Sequence, residues 1–207
     1  MTDKKLTRRL LDICYENKLH HLGSYFSCLH IIDDIYKNKN ESDIFILSNG
    51  HAVVALYVVL EKYYGLDAQK LLETYGEHPK RNELDHIHCS TGSLGMGICV
   101  AVGRALGNLD RHVYCMISDG ESNEGSVWEA LRFINDHNVK NLTIHVNANG
   151  WAAYDPVNTT LLESRMKAFL PRVKFHYTSV DQFGLDGLHA HYSNFTKEQY
   201  EEAIGSL

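Results

Sequence analysis

The stretch VYCMISDGESNEGSVWEALRFINDHNVKNLTIHVNANG, Val113 to Gly150, holds two short apolar runs separated by one amphipathic segment. Val113 to Ile117 reads as a buried strand of a parallel sheet, and Leu142 to Val146 reads as its neighbour. Between them, Ser126 to Asn138 places Val127, Ala130, Leu131 and Ile134 at helical spacing, with Ser126 and Glu129 spaced as a capping box. A strand, helix, strand unit of this kind sets Asp119 and Asn149 side by side at the carboxyl edge of a sheet, where open α/β folds bind ligands. A hard cation such as Mg2+ takes few protein oxygens and leaves its other positions to phosphates and water. Asp119, Asn149 and the carbonyl of Trp151 can supply such a set, and Gly120 lets the backbone approach a phosphate.

Outward from this unit the same alternation continues. Helical patterns cover about Asp3 to Asn17, Ser27 to Tyr36, Ala52 to Tyr64, Ala68 to Tyr75 and Gly95 to Leu109, with a short strand at Asp43 to Leu47. A helix near Leu161 to Phe169, a strand from Val173 to Thr178 and a last helix opened by the capping box Thr196 to Gln199 complete the chain. This alternation predicts an α/β fold with a doubly wound parallel sheet and helices on both faces. No low-complexity linker or internal repeat interrupts residues 1–207, so one domain is expected.

Composition narrows the classes. A net charge of −6 leaves no basic stripe for a nucleic-acid backbone. No apolar run is long enough to span a bilayer and the start lacks a signal-peptide pattern, so cytoplasm is the default expectation. The five cysteines show no paired spacing and read as packed thiols rather than disulfides.

Further blocks punctuate the chain in a fixed order: His21-Leu22-Gly23-Ser24, Ser48-Asn49-Gly50-His51, His78-Pro79, Thr91-Gly92-Ser93-Leu94-Gly95-Met96-Gly97, the Ser118 to Ala130 run, Asn149-Gly150, and Leu188-His189-Ala190-His191. Together they resemble the N-terminal, diphosphate-binding half of the transketolases, which are thiamine diphosphate enzymes. The resemblance covers residues 5–155 closely and the last thirty loosely.

The resemblance implies the thiamine diphosphate-binding fold and a set of roles. His51 would touch the diphosphate and the reacting end of the cofactor; His21 and His78 would line the channel and bond substrate hydroxyls or an oxyanion. Gly92 and Leu94 would lie near the aminopyrimidine, while Asp119, Gly120, Glu121 and Asn149 would hold the diphosphate end. Mg2+ (or Ca2+ or Mn2+) would sit on Asp119, Asn149 and the Trp151 carbonyl, and His191 would be a further cofactor contact. Glu124 and Glu129 would face a subunit interface linking two active sites.

The activity implied is transfer of a two-carbon ketol unit between sugars or sugar phosphates. In the family, a glutamate of a second, pyrimidine-binding domain engages the cofactor, and that domain does not occur in these 207 residues. A separate C-terminal partner subunit carrying it is therefore expected, assembled as a heterotetramer, with the present chain inactive alone.

Several features depart from the family pattern. Ser118 stands for a glycine, Asn147 for an aspartate and Ala190 for a tryptophan, and a strand, loop and helix are missing between Phe169 and Val173, so a somewhat truncated sheet is expected. No arginine precedes His78-Pro79 between Leu71 and Glu77, which points to an unusual or unphosphorylated sugar. The alternatives are a deoxyxylulose phosphate synthase-like or 2-oxo acid dehydrogenase alpha-like enzyme, and a non-catalytic interaction module that keeps the fold. The SNGHA run from Ser48 to Ala52 and the spacing from His78 to Gly92 favour transketolase. A zinc site on His86, His88 and Cys89, with His189 and His191, is a further alternative for the histidine-rich segments. Isolated histidines such as His30, His112, His137, His145 and His176 read as packing residues.

Overall fold

The structure is a computed structural model describing residues 3–152 and 154–207. Asp3 caps the first helix, accepting from the amides of Lys5 and Leu6, and α1 runs Lys4–Glu16. Next come α2 (Leu22–Asn38), β1 (Ile44–Leu47), α3 (Val53–Tyr64) and α4 (Ala68–Tyr75), the last capped by Asp67. Then α5 (Met96–Gly107), β2 (Val113–Ser118), α6 (Gly125–Asp136) and β3 (Leu142–Ala148) follow. A two-strand hairpin of β4 (Trp151–Ala152) and β5 (Asp155–Pro156) leads to α7 (Thr159–Phe169), β6 (Lys174–Tyr177), α8 (His189–Tyr192) and α9 (Lys197–Ser206).

The main sheet has strand order β1-β2-β3-β6, and every pair in it is parallel. Side chains alternate across it and feed two cores. Phe45, Leu47 and Met116 join a cluster with α1, α2, α3 and α4, whereas Ile44, Ile46, Val113, Cys115, Ile117, Ile144 and Val146 pack with α5, α6 and α7. Helices thus cover both faces, and the near-continuous burial of β1, β2 and β3 is the reason these strands carry so few polar residues. Chain economy shows at the far edge, where α7 passes through Leu170 to Val173 directly into edge strand β6.

Two readings of the sequence need correction, and one element escaped it. The chain is helical from Leu22, not Ser27, so Gly23 and Ser24 lie inside α2 rather than in a loop. Its helix-breaking glycine is tolerated because the first two turns of the helix are buried and Gly23 meets another segment closely. Ser126 does not cap α6: the cap position is Glu124, and the Ser126 hydroxyl donates instead to the Gly95 carbonyl at 2.9 Å. The hairpin after Asn149 had no periodic signal, being only two residues per strand. By contrast, Thr196 and Gln199 form the expected reciprocal cap of α9.

All five cysteines are free thiols, with Cys99 alone exposed. No helix among the described residues is long and apolar enough to cross a membrane.

Candidate functional site at the strand ends

Parallel pairing of β2 with β3 sets Ser118 opposite Asn147, so the segments leaving both strands emerge together. Asp119 follows Ser118 and is wholly buried. Its carboxylate accepts the backbone N–H of Gly150 at 2.7 Å and of Gly120 at 3.1 Å. Asn149, also buried, accepts the Trp151 amide on its side-chain oxygen at 3.0 Å, while its amide donates to Ser27 at 3.4 Å. The Trp151 carbonyl turns back towards Gly120, where it would lie 3.6 Å from an added Cβ. All three expected cation ligands are therefore gathered at one sheet edge.

A cavity of about 410 Å³ opens above them. Its floor includes Ser118, Gly120 and Asn149, and its walls carry four imidazoles, those of His21, His51, His78 and His191. Gly92 and Leu94 also line it, as the sequence reading expects, and so does Glu124, which the resemblance puts at a subunit interface. Glu121 and Glu129 do not. Glu121 is buried behind the wall, where its carboxylate accepts from the Ser48 hydroxyl at 2.7 Å and from the amides of Gly95 at 2.8 Å and Ser118 at 3.1 Å. Burial raises its pKa despite these donors. Glu129 lies on the outer face of α6, beside Cys99 and Phe133.

The histidine wall is built by unusual backbone and close packing. His21 sits at the cap of α2 with φ 60, a left-handed conformation that turns the chain sharply into the helix. The His21 amide donates to the His191 carbonyl at 3.0 Å, tying α8 to the start of α2. Gly23 permits this approach: a Cβ there would stand 2.8 Å from that of Val180 and 2.9 Å from that of Ala190. A small residue at position 190 fits the same contact, which gives a packing reason for Ala190 where the family carries tryptophan. His51 follows from a single 3-10 turn, Gly50–Ala52, at the carboxyl end of β1.

Burial controls the protonation of this wall. It pushes the pKa of His51 down to about 3 and lowers those of His21 and His191, so the three rings are neutral at pH 7. The Ser24 hydroxyl, absent from the expected site, lies between two of them, 3.1 Å from His51 Nε2 and 3.4 Å from His191 Nδ1. Its only sequence signal was membership of the His21 to Ser24 block.

A cofactor with a diphosphate and a divalent cation fits these residues. Asp119 is a carboxylate withdrawn from water with no basic side chain in contact among the described residues, and burial raises its pKa to about 7. A bound cation would compensate such a charge. The set of one carboxylate, one amide oxygen and one carbonyl suits Mg2+, which keeps room for phosphates. Among the described residues no three His, Cys, Asp or Glu side chains gather as a metal set, which removes the zinc alternative. His86 is stacked on Tyr64 with ring centroids 3.6 Å apart, and His88 bonds Glu83.

The departures at Ser118 and Asn147 are internally satisfied. Ser118 exchanges bonds with Glu121, its hydroxyl accepting the Glu121 amide at 3.3 Å. Asn147 donates to Ser27 and to the Cys28 sulfur, and it accepts from Thr178.

The family model for the thiamine diphosphate binding domain of transketolase matches residues 26–174. The chain belongs to the transketolase family. One subunit of an apulose-4-phosphate transketolase from Phocaeicola vulgatus is 32% identical over 170 residues, covering 72% of this chain and 60% of that protein. Human transketolase is 32% identical over 153 residues, 65% of this chain and 24% of its own length. Solved transketolases from Campylobacter jejuni and Leishmania mexicana share the fold at TM-score 0.68, with 18% and 17% identity. Each alignment covers 100% of this chain but only 43% and 41% of those proteins. The chain thus spans less than two thirds of the length of each of these relatives.

Proposed function

We propose that this chain is the diphosphate-binding, N-terminal subunit of a transketolase-like enzyme that moves a two-carbon ketol unit between sugars. Its 207 residues act as one domain, and a separate C-terminal subunit supplies the pyrimidine-binding half in a heterotetramer. The observation that carries this reading is the buried carboxylate of Asp119 at the carboxyl ends of β2 and β3, beneath a cavity walled by four histidines. Similarity to a protein that is itself named as one subunit of a transketolase supports the split arrangement.

When bound, thiamine diphosphate supplies a nucleophilic carbon and an electron sink for the sugar carbonyl chemistry. The chain's own residues do the rest. Asp119, Asn149 and the Trp151 carbonyl would hold Mg2+, and Gly120 would leave space for the diphosphate; the left-handed turn at Gly95 (φ 76) shapes the wall beside Gly92 and Leu94. His51 would reach the reacting end with His191 as a further cofactor contact, while His21, a neutral ring that can both donate and accept, would orient sugar hydroxyls together with His78. Glu124, on the cavity rim, and Glu129, on the outer face of α6, meet the adjoining subunits.

Among the described residues, no lysine or arginine lines the cavity. A phosphate on the substrate is therefore held by the partner, or the sugar carries none. The cytoplasm is the compartment in which we place this reaction.

Ketol transfer assayed with the chain alone, and with its candidate partner, Mg2+ and thiamine diphosphate, tests the proposal. Activity only in the mixture supports it. Full activity of the chain alone, or a reconstituted complex that binds no cofactor by calorimetry, overturns it.

A further inference from the structure

We propose that Ser24 is a positioning residue that locks His51 and His191 into matching tautomers and carries a proton between them. The serine oxygen lies 3.1 Å from His51 Nε2 and 3.4 Å from His191 Nδ1, and Ser24 itself is almost wholly buried in α2. A hydroxyl has one proton to donate. If it donates to His51 Nε2, that ring carries its hydrogen on Nδ1, and the serine then accepts from His191 Nδ1–H. If it donates to His191 Nδ1, that ring carries its hydrogen on Nε2, and the serine accepts from His51 Nε2–H. Either way both rings bear their proton on the same type of nitrogen.

The far nitrogen of His191 is the end at which a proton joins this arrangement. Its Nε2 is buried with no hydrogen-bond partner among the described residues, and the residue lines the cavity, as does His51. A proton arriving at His191 Nε2 releases the Nδ1 proton to Ser24; the serine passes its own proton to His51 Nε2, and His51 gives up the proton on Nδ1. One proton enters, one leaves, and both rings end neutral in the alternative tautomer. The groups facing the pair are His21 and His78, which add no carboxylate to trap a charge on either ring. Neutral rings are what the burial of His51 and His191 enforces. The packing of Gly23 against Ala190 is what holds His191 within reach of Ser24.

The use of this relay in ketol transfer rests on the function proposed above, but its existence does not, and the two are tested separately. The full chain, labelled with 15N in histidine, shows by long-range proton-nitrogen spectra which ring nitrogen is protonated; signals are assigned with His51→Gln and His191→Gln. The expected result is the same protonated nitrogen type in both rings. His191→Gln should also shift the His51 ring signals, Ser24→Ala should abolish that response, and Ser24→Thr should keep it. Opposite tautomers, or an equal His51 response with and without the Ser24 hydroxyl, overturn the relay. In the reconstituted enzyme, Ser24→Ala should lower kcat roughly tenfold with KM little changed, less than the loss of a direct acid-base group. Coupled rings with an unchanged kcat overturn the catalytic use alone.

Discussion

The carboxylate of Asp119 accepts the backbone N–H of Gly150 at 2.7 Å, so that one buried acid joins the ends of two neighbouring strands. The bond aligns the turn after β3 with the turn after β2, and it leaves a group that needs charge compensation where a diphosphate-bound cation would lie.

The first prediction concerns that acid. Its pKa is raised from 3.8 to about 7, chiefly by burial, so between these values the folded chain binds a proton that the unfolded chain does not. Stability of the metal-free chain is therefore lost through this group as pH rises through that window, on the order of a few kcal/mol in total. Thermal melts should show Asp119→Asn gaining several degrees on the parent chain across the same range. Mg2+ with thiamine diphosphate should rescue the parent and not the variant. A pH-independent difference would refute the buried-charge account.

Acid should unfold the chain through its histidines. His145 is buried and bonds His176 at 2.9 Å, and its pKa is lowered from 6.5 to about 3, mainly by burial. The stability it contributes is fully present above pH 6.5 and is lost as pH falls towards 3. His145→Phe should flatten the fall in melting temperature on the acid side of that range, leaving the share due to His51, which is shifted in the same direction. An unaltered slope would show that His145 is not neutral in the folded chain.

Glu121 is expected to matter for stability more than for ligand contact. Truncation to alanine orphans the Ser48 hydroxyl and the amides of Gly95 and Ser118, at a cost of about 3 kcal/mol or more. Chemical denaturation measures this directly. A loss below about 1 kcal/mol would mean that water replaces the carboxylate.

Gly23→Ala should push α8 away from α2, since the new methyl meets Val180 and Ala190 well inside contact distance. The destabilisation expected is about 1–3 kcal/mol. Cofactor affinity should fall as well, because His191 moves with α8; unchanged calorimetric binding would detach that ring from the site.

Much of this was legible in the chain itself. Strands β2 and β3 announce themselves as apolar runs because both faces of a parallel sheet are buried, and Thr196 caps α9 through local bonds that its spacing from Gln199 reveals. Local bonds are also where the reading failed. Ser126 has the right spacing for a cap but finds a better acceptor in Gly95, thirty-one residues away in sequence. Glu121 has the position of a ligand-facing acid, yet three donors turn it inward. Ser24 looked like part of a loop, and only its neighbours across the fold distinguish it from any helical serine.

By itself the sequence determined the alternation of strands and helices, the ordered glycine and histidine blocks, and hence the family and the edge at which Asp119 and Asn149 meet, because these depend on periodicity and on contacts between adjacent chain segments. Tertiary structure decided which side chains face the cavity and which serve as internal struts, and it brought His191 to Ser24 from the far end of the chain. Orientation of a buried polar group is set by whichever donors and acceptors packing places around it, and those partners lie too far apart in sequence for any local pattern to record them.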